Sequence, residues 1–208
     1  MTEHTPKKVR TSTLLEFKQQ GRKIACLTSY DAITAGIFDR AGMDVILVGD
    51  SAADNVLGYS TTVPVTVDEM IPFGRAVAGA TNRAIVVVDM PFGSYETGTA
   101  DALSNAIRIM KTTNAAAVKL EGGLRSAEQI KAIVDAGIPV MGHIGFTPQS
   151  VNALGGFKIQ GRGEGAGQDE PGGGDHRDRE GETKFKSRPR HQPGCGGHGQ
   201  REWLTIHA

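Results

Sequence analysis

Three acidic residues of this sequence each end a short apolar run that is typical of a buried β-strand. They are Asp50, Asp89 and Glu121, which are 39 and 32 residues apart. Since the carboxyl ends of parallel strands face one mouth of a barrel, these side chains can converge although they are distant in sequence. Crowded carboxylates repel one another unless a cation lies among them, and oxygen ligands favour a hard ion. The spacing therefore predicts a site for Mg²⁺ or another divalent ion.

A lysine strengthens this hypothesis. Lys119 lies two residues before Glu121 and so points to the same face of its strand. Beside carboxylates, a lysine can bind an anionic substrate or neutralise an enolate, but it can also form a structural ion pair. Each acid alone also has an ordinary interpretation as a helix cap or a solvated strand end. Spacing alone leaves both interpretations open.

Two further side chains are candidates at the same mouth. His143 ends the fifth apolar run and could donate a hydrogen bond to a substrate or act in proton transfer, although a lone histidine is often structural. Ser51 directly follows Asp50 and offers a hydroxyl and an N–H group to a substrate carboxylate. A serine at this position is also an ordinary helix cap.

The elements that would position these residues alternate between strand and helix. Strands are predicted at 24–28, 45–49, 84–89, 116–121 and 138–143. Helices are predicted at 13–20, 32–41, 67–78, 100–112 and 125–136, with Gly42, Gly79 and Gly137 ending three of them. Uninterrupted apolar strands favour a parallel sheet covered on both faces, in a barrel or a doubly wound sheet. We therefore predict an α/β fold with five βα units.

Composition narrows the class of protein. The chain has 208 residues and no net charge, which gives no reason to propose a nucleic-acid partner. No apolar run approaches the roughly 20 residues of a membrane span, so no membrane partner is expected. Cys26 and Cys195 cannot form a disulfide framework, and a reducing cytoplasm is the expected location. The glycine-rich segment 161–165 follows no strand and opens no apolar helix, so we interpret it as a loop and not a nucleotide site.

The amino-acid composition of the sequence changes near residue 167. The last 42 residues contain nine glycines and only six apolar residues, too few to offset the cost of ordering the backbone. We expect residues 1–166 to form a partial barrel domain and residues 167–208 to form a disordered polar tail.

Six segments of the sequence are more specific than the alternation of strands and helices that any α/β barrel shows. They are LTSYD (27–31), VGDS (48–51), TVPVT (62–66), DMPFGSY (89–95), VKLEGG (118–123) and GHIGFTPQSVN (142–152). In this order they resemble the ketopantoate hydroxymethyltransferases of pantothenate (coenzyme A) synthesis. With the segments up to residue 163, the likeness covers about three quarters of the chain.

The resemblance implies a fold and an activity. The fold would be a (β/α)8 TIM barrel, here incomplete. The reaction would be transfer of a hydroxymethyl group from 5,10-methylenetetrahydrofolate to the keto acid 3-methyl-2-oxobutanoate, with Mg²⁺ assisting enolisation as a Lewis acid. By resemblance, the metal-site acids are Asp50, Asp89 and Glu121, and the substrate-contacting residues are Asp50, Ser51, Asp89 and Lys119. Homo-oligomers would be expected, as in the family.

The resemblance also predicts a deficit. The family's general base is a glutamate at the end of a sixth strand, and the residues after Ala166 show no such strand. This stretch looks as if it were read out of frame, so we hypothesise a frameshift and expect impaired turnover. Two alternatives stay open. One is an inactive truncated fragment that binds metal weakly or joins intact subunits, and the other is a related barrel lyase or aldolase in which Lys119 forms a Schiff base.

Overall fold

The computed structural model describes residues 7–144 and 146–154, together with two short strands at 185–186 and 204–207. The strands are β1 (Cys26–Thr28), β2 (Val45–Val48), β3 (Ile85–Asp89), β4 (Ala117–Glu121), β5 (Val140–Ile144), β6 (Phe185–Lys186) and β7 (Leu204–His207). The helices are α1 (Thr11–Gln19), α2 (Ala32–Arg40), α3 (Ala52–Asn55), α4 (Val67–Ala80), α5 (Thr99–Thr113), α6 (Ala127–Asp135) and α7 (Val151–Leu154). Single 3₁₀ turns precede α6 and α7, at Leu124–Ser126 and Pro148–Ser150.

The strands form one sheet in the order β1-β2-β3-β4-β5-β7-β6. Strands β1 to β5 are parallel neighbours in sequence order and, with their helices, form a curled half-barrel. This arrangement confirms the predicted α/β class and the incomplete barrel. The five predicted strands and five predicted helices are present, with bounds shifted by at most two residues. The short helices α3 and α7 were not predicted.

Strand β7 pairs in parallel with β5, and β6 pairs with β7 in the antiparallel sense. Both lie in the segment for which composition predicts no strand, so these six residues differ from that expectation. The alternation of Leu204 and Ile206 with polar residues is a strand pattern, and the open edge of β5 offers main-chain partners to it. The other residues of the predicted tail lie outside the described part of the chain.

Alternation along each strand separates two apolar regions. In β2 and β3, the side chains of Ile46, Val48, Val86 and Val88 pack against the helices in the larger core. The intervening residues Val45, Ile85 and Val87 point to the other face, into a smaller inner core. The odd-numbered residues of β3, β4 and β5 therefore all point to the inside of the barrel.

Helix α1 closes the amino-terminal end of this inner face. Leu14 of α1 is almost fully buried and belongs to the inner core with Val45 and Met141. Just before the helix, the Val9 N–H group donates to the Arg83 carbonyl oxygen at 2.7 Å. The inner face is thus apolar at its amino-terminal end and is left free for polar side chains at the carboxyl end.

Two of the three predicted glycine stops are confirmed. Gly42 and Gly137 each have a φ of +91°, the left-handed conformation that glycine adopts without a steric penalty. The prediction that Gly79 ends its helix is wrong, because α4 continues to Ala80. There the Thr81 hydroxyl donates to the Val77 carbonyl oxygen at 2.7 Å, which satisfies a group of the last turn.

Asp39 joins α2 to the start of β3. Its buried carboxylate accepts hydrogen bonds from the N–H groups of Asn82, Arg83 and Ala84 at 2.7 to 3.2 Å. The Arg83 guanidinium in turn donates to Asp44 at 2.8 Å. These contacts tie α2 to the start of β3, the strand that carries Asp89 at its other end.

No helix in the described ranges combines the length and the apolar character that crossing a membrane requires.

Candidate active site

The register of the parallel strands brings the predicted site residues together. Asp89 in β3 is the direct neighbour of Lys119 in β4, and Glu121 in β4 is the direct neighbour of His143 in β5. All four point to the inner face by the alternation described above. Asp50 lies two residues beyond the end of β2, and its N–H group donates to Asp89 Oδ2 at 3.3 Å.

Lys119 is the cationic centre of this cluster. Its Nζ lies 2.5 Å from Asp89 Oδ2 and 3.8 Å from Glu121 Oε1. His143 Nδ1 lies 3.0 Å from the same Glu121 oxygen. Asp50, Asp89 and Glu121 are each less than 5% exposed, so among the described residues of the cluster three buried carboxylates face one ammonium group. The cluster can therefore take up further positive charge.

Burial disfavours the charged form of two of these acids. Desolvation raises the pKa of Asp89 to about 7, although the Lys119 ammonium opposes the shift. Desolvation also raises the pKa of Asp50, again against the effect of Lys119. A cation bound at these oxygens would offset the cost of the buried negative charge.

Lys119 itself stays protonated. Burial tends to lower its pKa, but the carboxylates of Asp89, Glu121 and Asp50 outweigh burial and raise the pKa above its ordinary value. The side chain is therefore suited to binding an anion and poorly suited to acting as a neutral nucleophile.

Ser51 lies at the edge of the cluster. Its hydroxyl group forms a 2.8 Å hydrogen bond with the Tyr30 hydroxyl, not with the carboxylates. Asn55 donates to the Ser51 carbonyl oxygen at 2.9 Å. Ser51 is half-buried and precedes α3, but its side chain forms no capping hydrogen bond. The hydroxyl remains a candidate substrate ligand whose orientation is set by Tyr30.

Two residues that sequence reasoning did not single out complete the site. Gln149, in the 3₁₀ turn after β5, donates from Nε2 to Asp50 Oδ2 at 2.8 Å. Its backbone N–H group donates to Glu121 Oε2 at 3.1 Å. Tyr95 donates its hydroxyl proton to Gln149 Oε1 and accepts from the Glu121 N–H group. Both residues fall within the segments that resemble the family, and this was the one feature of the sequence that could have pointed to them. The segments did not indicate which residues they contact.

The donor set suits a hard cation. Asp89 Oδ1 and His143 Nε2 are buried and form no hydrogen bond with the described residues, so both can meet a ligand. Within the described residues, no three histidine, cysteine or carboxylate side chains already form a cluster with metal-binding geometry. Lys119 lies between two of the carboxylates in this arrangement.

Comparison with known proteins decides the family. Residues 8–169 match the sequence profile of ketopantoate hydroxymethyltransferase. The chain belongs to the ketopantoate hydroxymethyltransferase family. The match includes every candidate residue of the buried cluster.

Curated members of the family are similar over the same region. The 3-methyl-2-oxobutanoate hydroxymethyltransferase of Leifsonia xyli subsp. xyli is 65% identical over 164 residues, which are 79% of this chain and 59% of the relative. The proteins of the same name from Saccharopolyspora erythraea and Mycobacterium sp. (strain KMS) are 61% and 60% identical, over 76% and 79% of this chain and 54% and 59% of theirs. The chain thus spans between half and three fifths of the length of these relatives.

Solved structures of other enzymes share the fold. A phosphonopyruvate hydrolase complex with oxalate and Mg²⁺ aligns with a TM-score of 0.54 at 13% identity, over 70% of this chain and 54% of its own. A phosphoenolpyruvate phosphomutase from Streptomyces platensis subsp. rosaceus aligns with a TM-score of 0.52 at 18% identity, over 65% and 53%. The likeness is one of fold alone, and it agrees with an incomplete α/β barrel.

Proposed function

We propose that this chain carries the keto-acid and metal site of a 3-methyl-2-oxobutanoate hydroxymethyltransferase. The reaction served would be transfer of a hydroxymethyl group from 5,10-methylenetetrahydrofolate to 3-methyl-2-oxobutanoate, forming 2-dehydropantoate. The observation that carries this proposal is the buried group of Asp50, Asp89, Lys119 and Glu121 at the strand ends of a chain of this family. Burying such a charged group costs free energy, which a binding site explains better than a structural role does.

Asp50, Asp89 and Glu121 would hold Mg²⁺. Their oxygens match the preference of this ion, Asp89 Oδ1 has no hydrogen-bond partner among the described residues, and the raised pKa values of Asp50 and Asp89 reflect charge that a cation would compensate. When bound, the ion would supply Lewis-acid polarisation of the substrate's keto group, which acidifies the adjacent C–H bond.

The other residues would bind and orient the keto acid. The protonated Lys119 ammonium would attract the substrate's negative charge and stabilise the charge that develops on its keto oxygen. The Ser51 hydroxyl, oriented by Tyr30, would hydrogen-bond the substrate carboxylate. His143 is fixed by Glu121 through Nδ1, which leaves Nε2 to contact substrate or cofactor in an auxiliary role.

The aldolase alternative finds little support in the site. A Schiff-base lysine must be neutral to attack a carbonyl group, whereas the carboxylates around Lys119 raise its pKa. Borohydride treatment with 3-methyl-2-oxobutanoate should leave the mass of Lys119-containing peptides unchanged. A reduced adduct on Lys119 would favour the aldolase instead.

Compartment and assembly are part of the proposal. Cys26 is a free thiol, which agrees with a reducing cytoplasm. Helix α2 exposes Ile33 and Ile37, apolar side chains that agree with contact between copies in a homo-oligomer. Sedimentation velocity of the purified chain would test the assembly.

Calorimetric titration with 3-methyl-2-oxobutanoate, with and without Mg²⁺, tests the proposed site. We expect wild-type binding to require the metal. Asp89→Asn should weaken binding at least tenfold, because loss of a direct ligand should cost at least as much as loss of an outer-shell partner, which costs roughly 10- to 100-fold. Asp101→Asn is the matched control, because Asp101 is exposed on α5. This variant should bind keto acid and metal like wild type. A folded wild-type chain that binds no keto acid at millimolar concentration would contradict the proposal.

A further inference from the structure

Tyr95 and Gln149 form a buried polar link between the carboxylates of the site. Both residues are at most 5% exposed, and they are 54 residues apart in sequence. Tyr95 follows β3, and Gln149 follows β5. Neither carries a net charge, yet each contacts one or both of Asp50 and Glu121.

The directions of the hydrogen bonds fix the orientation of the Gln149 amide. Nε2 donates to Asp50 Oδ2 at 2.8 Å and to the Met90 carbonyl oxygen at 3.0 Å. The carbonyl oxygen can only accept a hydrogen bond, and so can the Asp50 carboxylate when it is ionised. Oε1 accepts from the Tyr95 hydroxyl, which itself accepts from the Glu121 N–H group at 3.2 Å. A flipped amide would direct an oxygen at two acceptors, so only one orientation satisfies every group.

The link closes into a ring. It runs from the Glu121 N–H group through the Tyr95 hydroxyl to Gln149 Oε1, and the Gln149 backbone N–H group returns to Glu121 Oε2 at 3.1 Å. Asp50 is attached to this ring through Gln149 Nε2. One residue thus orients a carboxylate after β2 and another at the end of β4. Side chains that fix the ligands of a metal in this way commonly set its affinity.

We propose that Gln149, with its amide oriented by Tyr95, is a positioning residue that holds Asp50 and Glu121 in the arrangement that binds the divalent ion and the keto acid. This inference rests on the proposed function. It extends that function to two residues that contact the proposed metal ligands Asp50 and Glu121. Both residues act through the carboxylates. Their substitution should therefore change ligand affinity more than it changes the fold.

Binding of Mn²⁺, a paramagnetic probe for the Mg²⁺ site, tests this role in the presence of 3-methyl-2-oxobutanoate. Gln149→Met keeps the backbone N–H bond to Glu121 but removes the amide, and Tyr95→Phe removes a single hydroxyl. We expect each variant to weaken Mn²⁺ binding by roughly 10- to 100-fold, with secondary structure unchanged by circular dichroism.

Two control variants match these changes outside the ring. Tyr59→Phe removes a hydroxyl that donates to Glu69 Oε1, and Gln129→Met replaces a glutamine whose Oε1 has no described partner. Both should bind Mn²⁺ like wild type. Because the proposed role of Tyr95 is to orient the Gln149 amide, the double variant should bind no more than about twofold worse than Gln149→Met alone. Wild-type affinity in both single variants, or a double-variant loss equal to the product of the single losses, would overturn the inference.

A spectroscopic readout separates this inference from the proposed function. In uniformly labelled wild-type chain, the Gln149 side-chain amide, assigned by its loss in Gln149→Met, should exchange slowly with solvent and shift in Tyr95→Phe. The carboxyl carbon signals of Asp50 and Glu121 should shift in Gln149→Met. If wild type binds no keto acid but these shifts occur, the proposed function fails while the positioning contacts stand. If the carboxyl signals do not move, the positioning role is wrong whatever the chain binds.

Discussion

The side chain of Lys119 shows what a binding site costs this fold. This side chain is 9% exposed and lies beside Asp89 and Glu121 on a face whose next layer is apolar. A buried ion pair seldom stabilises a protein more than apolar packing would, but removing one partner is expensive because the other charge stays buried. The lysine and the carboxylates should therefore behave as one unit.

Lys119→Met tests this dependence. At pH 8 we expect the free energy of unfolding to fall by about 3 kcal/mol, because three carboxylates lose their shared cation. The pKa of Asp89 is raised to about 7, so burial of its charge costs stability as the pH rises from about 4 towards 7, and protonation relieves that cost as the pH falls. The loss should therefore be smaller at pH 5.5.

Urea denaturation at both pH values measures the effect. Lys131→Met is the control, because Lys131 and Asp135 form an exposed pair one turn apart on α6, worth less than about 1 kcal/mol. Equal losses in the two variants would show that the buried cluster has no special energetic role.

At the scale of elements, α2 and β3 depend on one carboxylate. Asp39 accepts from three successive backbone N–H groups, and these donors are 43 to 45 residues away in sequence. Asp39→Ala should lower the free energy of unfolding by roughly 2 to 4 kcal/mol, because buried N–H groups lose their acceptor. Asp68→Ala, in the exposed first turn of α4, should cost less than about 1 kcal/mol. A smaller loss for Asp39→Ala than for Asp68→Ala, in thermal or urea unfolding, would contradict this account.

Strand β1 has a chemical reporter of its packing. Burial raises the pKa of the Cys26 thiol to about 11, so at pH 8 roughly one molecule in a thousand carries the reactive thiolate. In a Cys195→Ser background, we expect Cys26 to react with a thiol reagent several hundred times more slowly in the native chain than in urea. Similar rates in the two conditions would mean that β1 does not stay packed against β2.

At the scale of the whole molecule, binding and turnover should separate. By resemblance, the family's general base is a glutamate at the end of a sixth strand, and the residues after Ala166 do not contain that pattern. On the proposed function, the 208-residue polypeptide should bind keto acid and metal, but without that base it should form 2-dehydropantoate at least about 100-fold more slowly than the Leifsonia xyli relative. Product formation measured side by side tests this, and a rate within tenfold of the relative would contradict it.

Much of the fold was readable from local pattern. Buried parallel strands produce unbroken apolar runs, left-handed helix ends favour residues such as Gly42 and Gly137, and an acid after an apolar run marks a strand end. Side chains alternate between the two faces of a strand, which also places Lys119 and Glu121 on one face. These features depend on neighbours within a few residues, so the amino-acid order alone determined them.

The contacts across the site were decided by tertiary structure. Which residue lies beside Lys119 depends on strand register, and the hydrogen bond between Gln149 and Asp50 joins residues 99 positions apart. Ser51 turned out to be oriented by Tyr30, which no spacing rule indicates. The physical reason is that a hydrogen-bond partner is chosen by distance and direction in space, and those are set only when strands, helices and turns pack together.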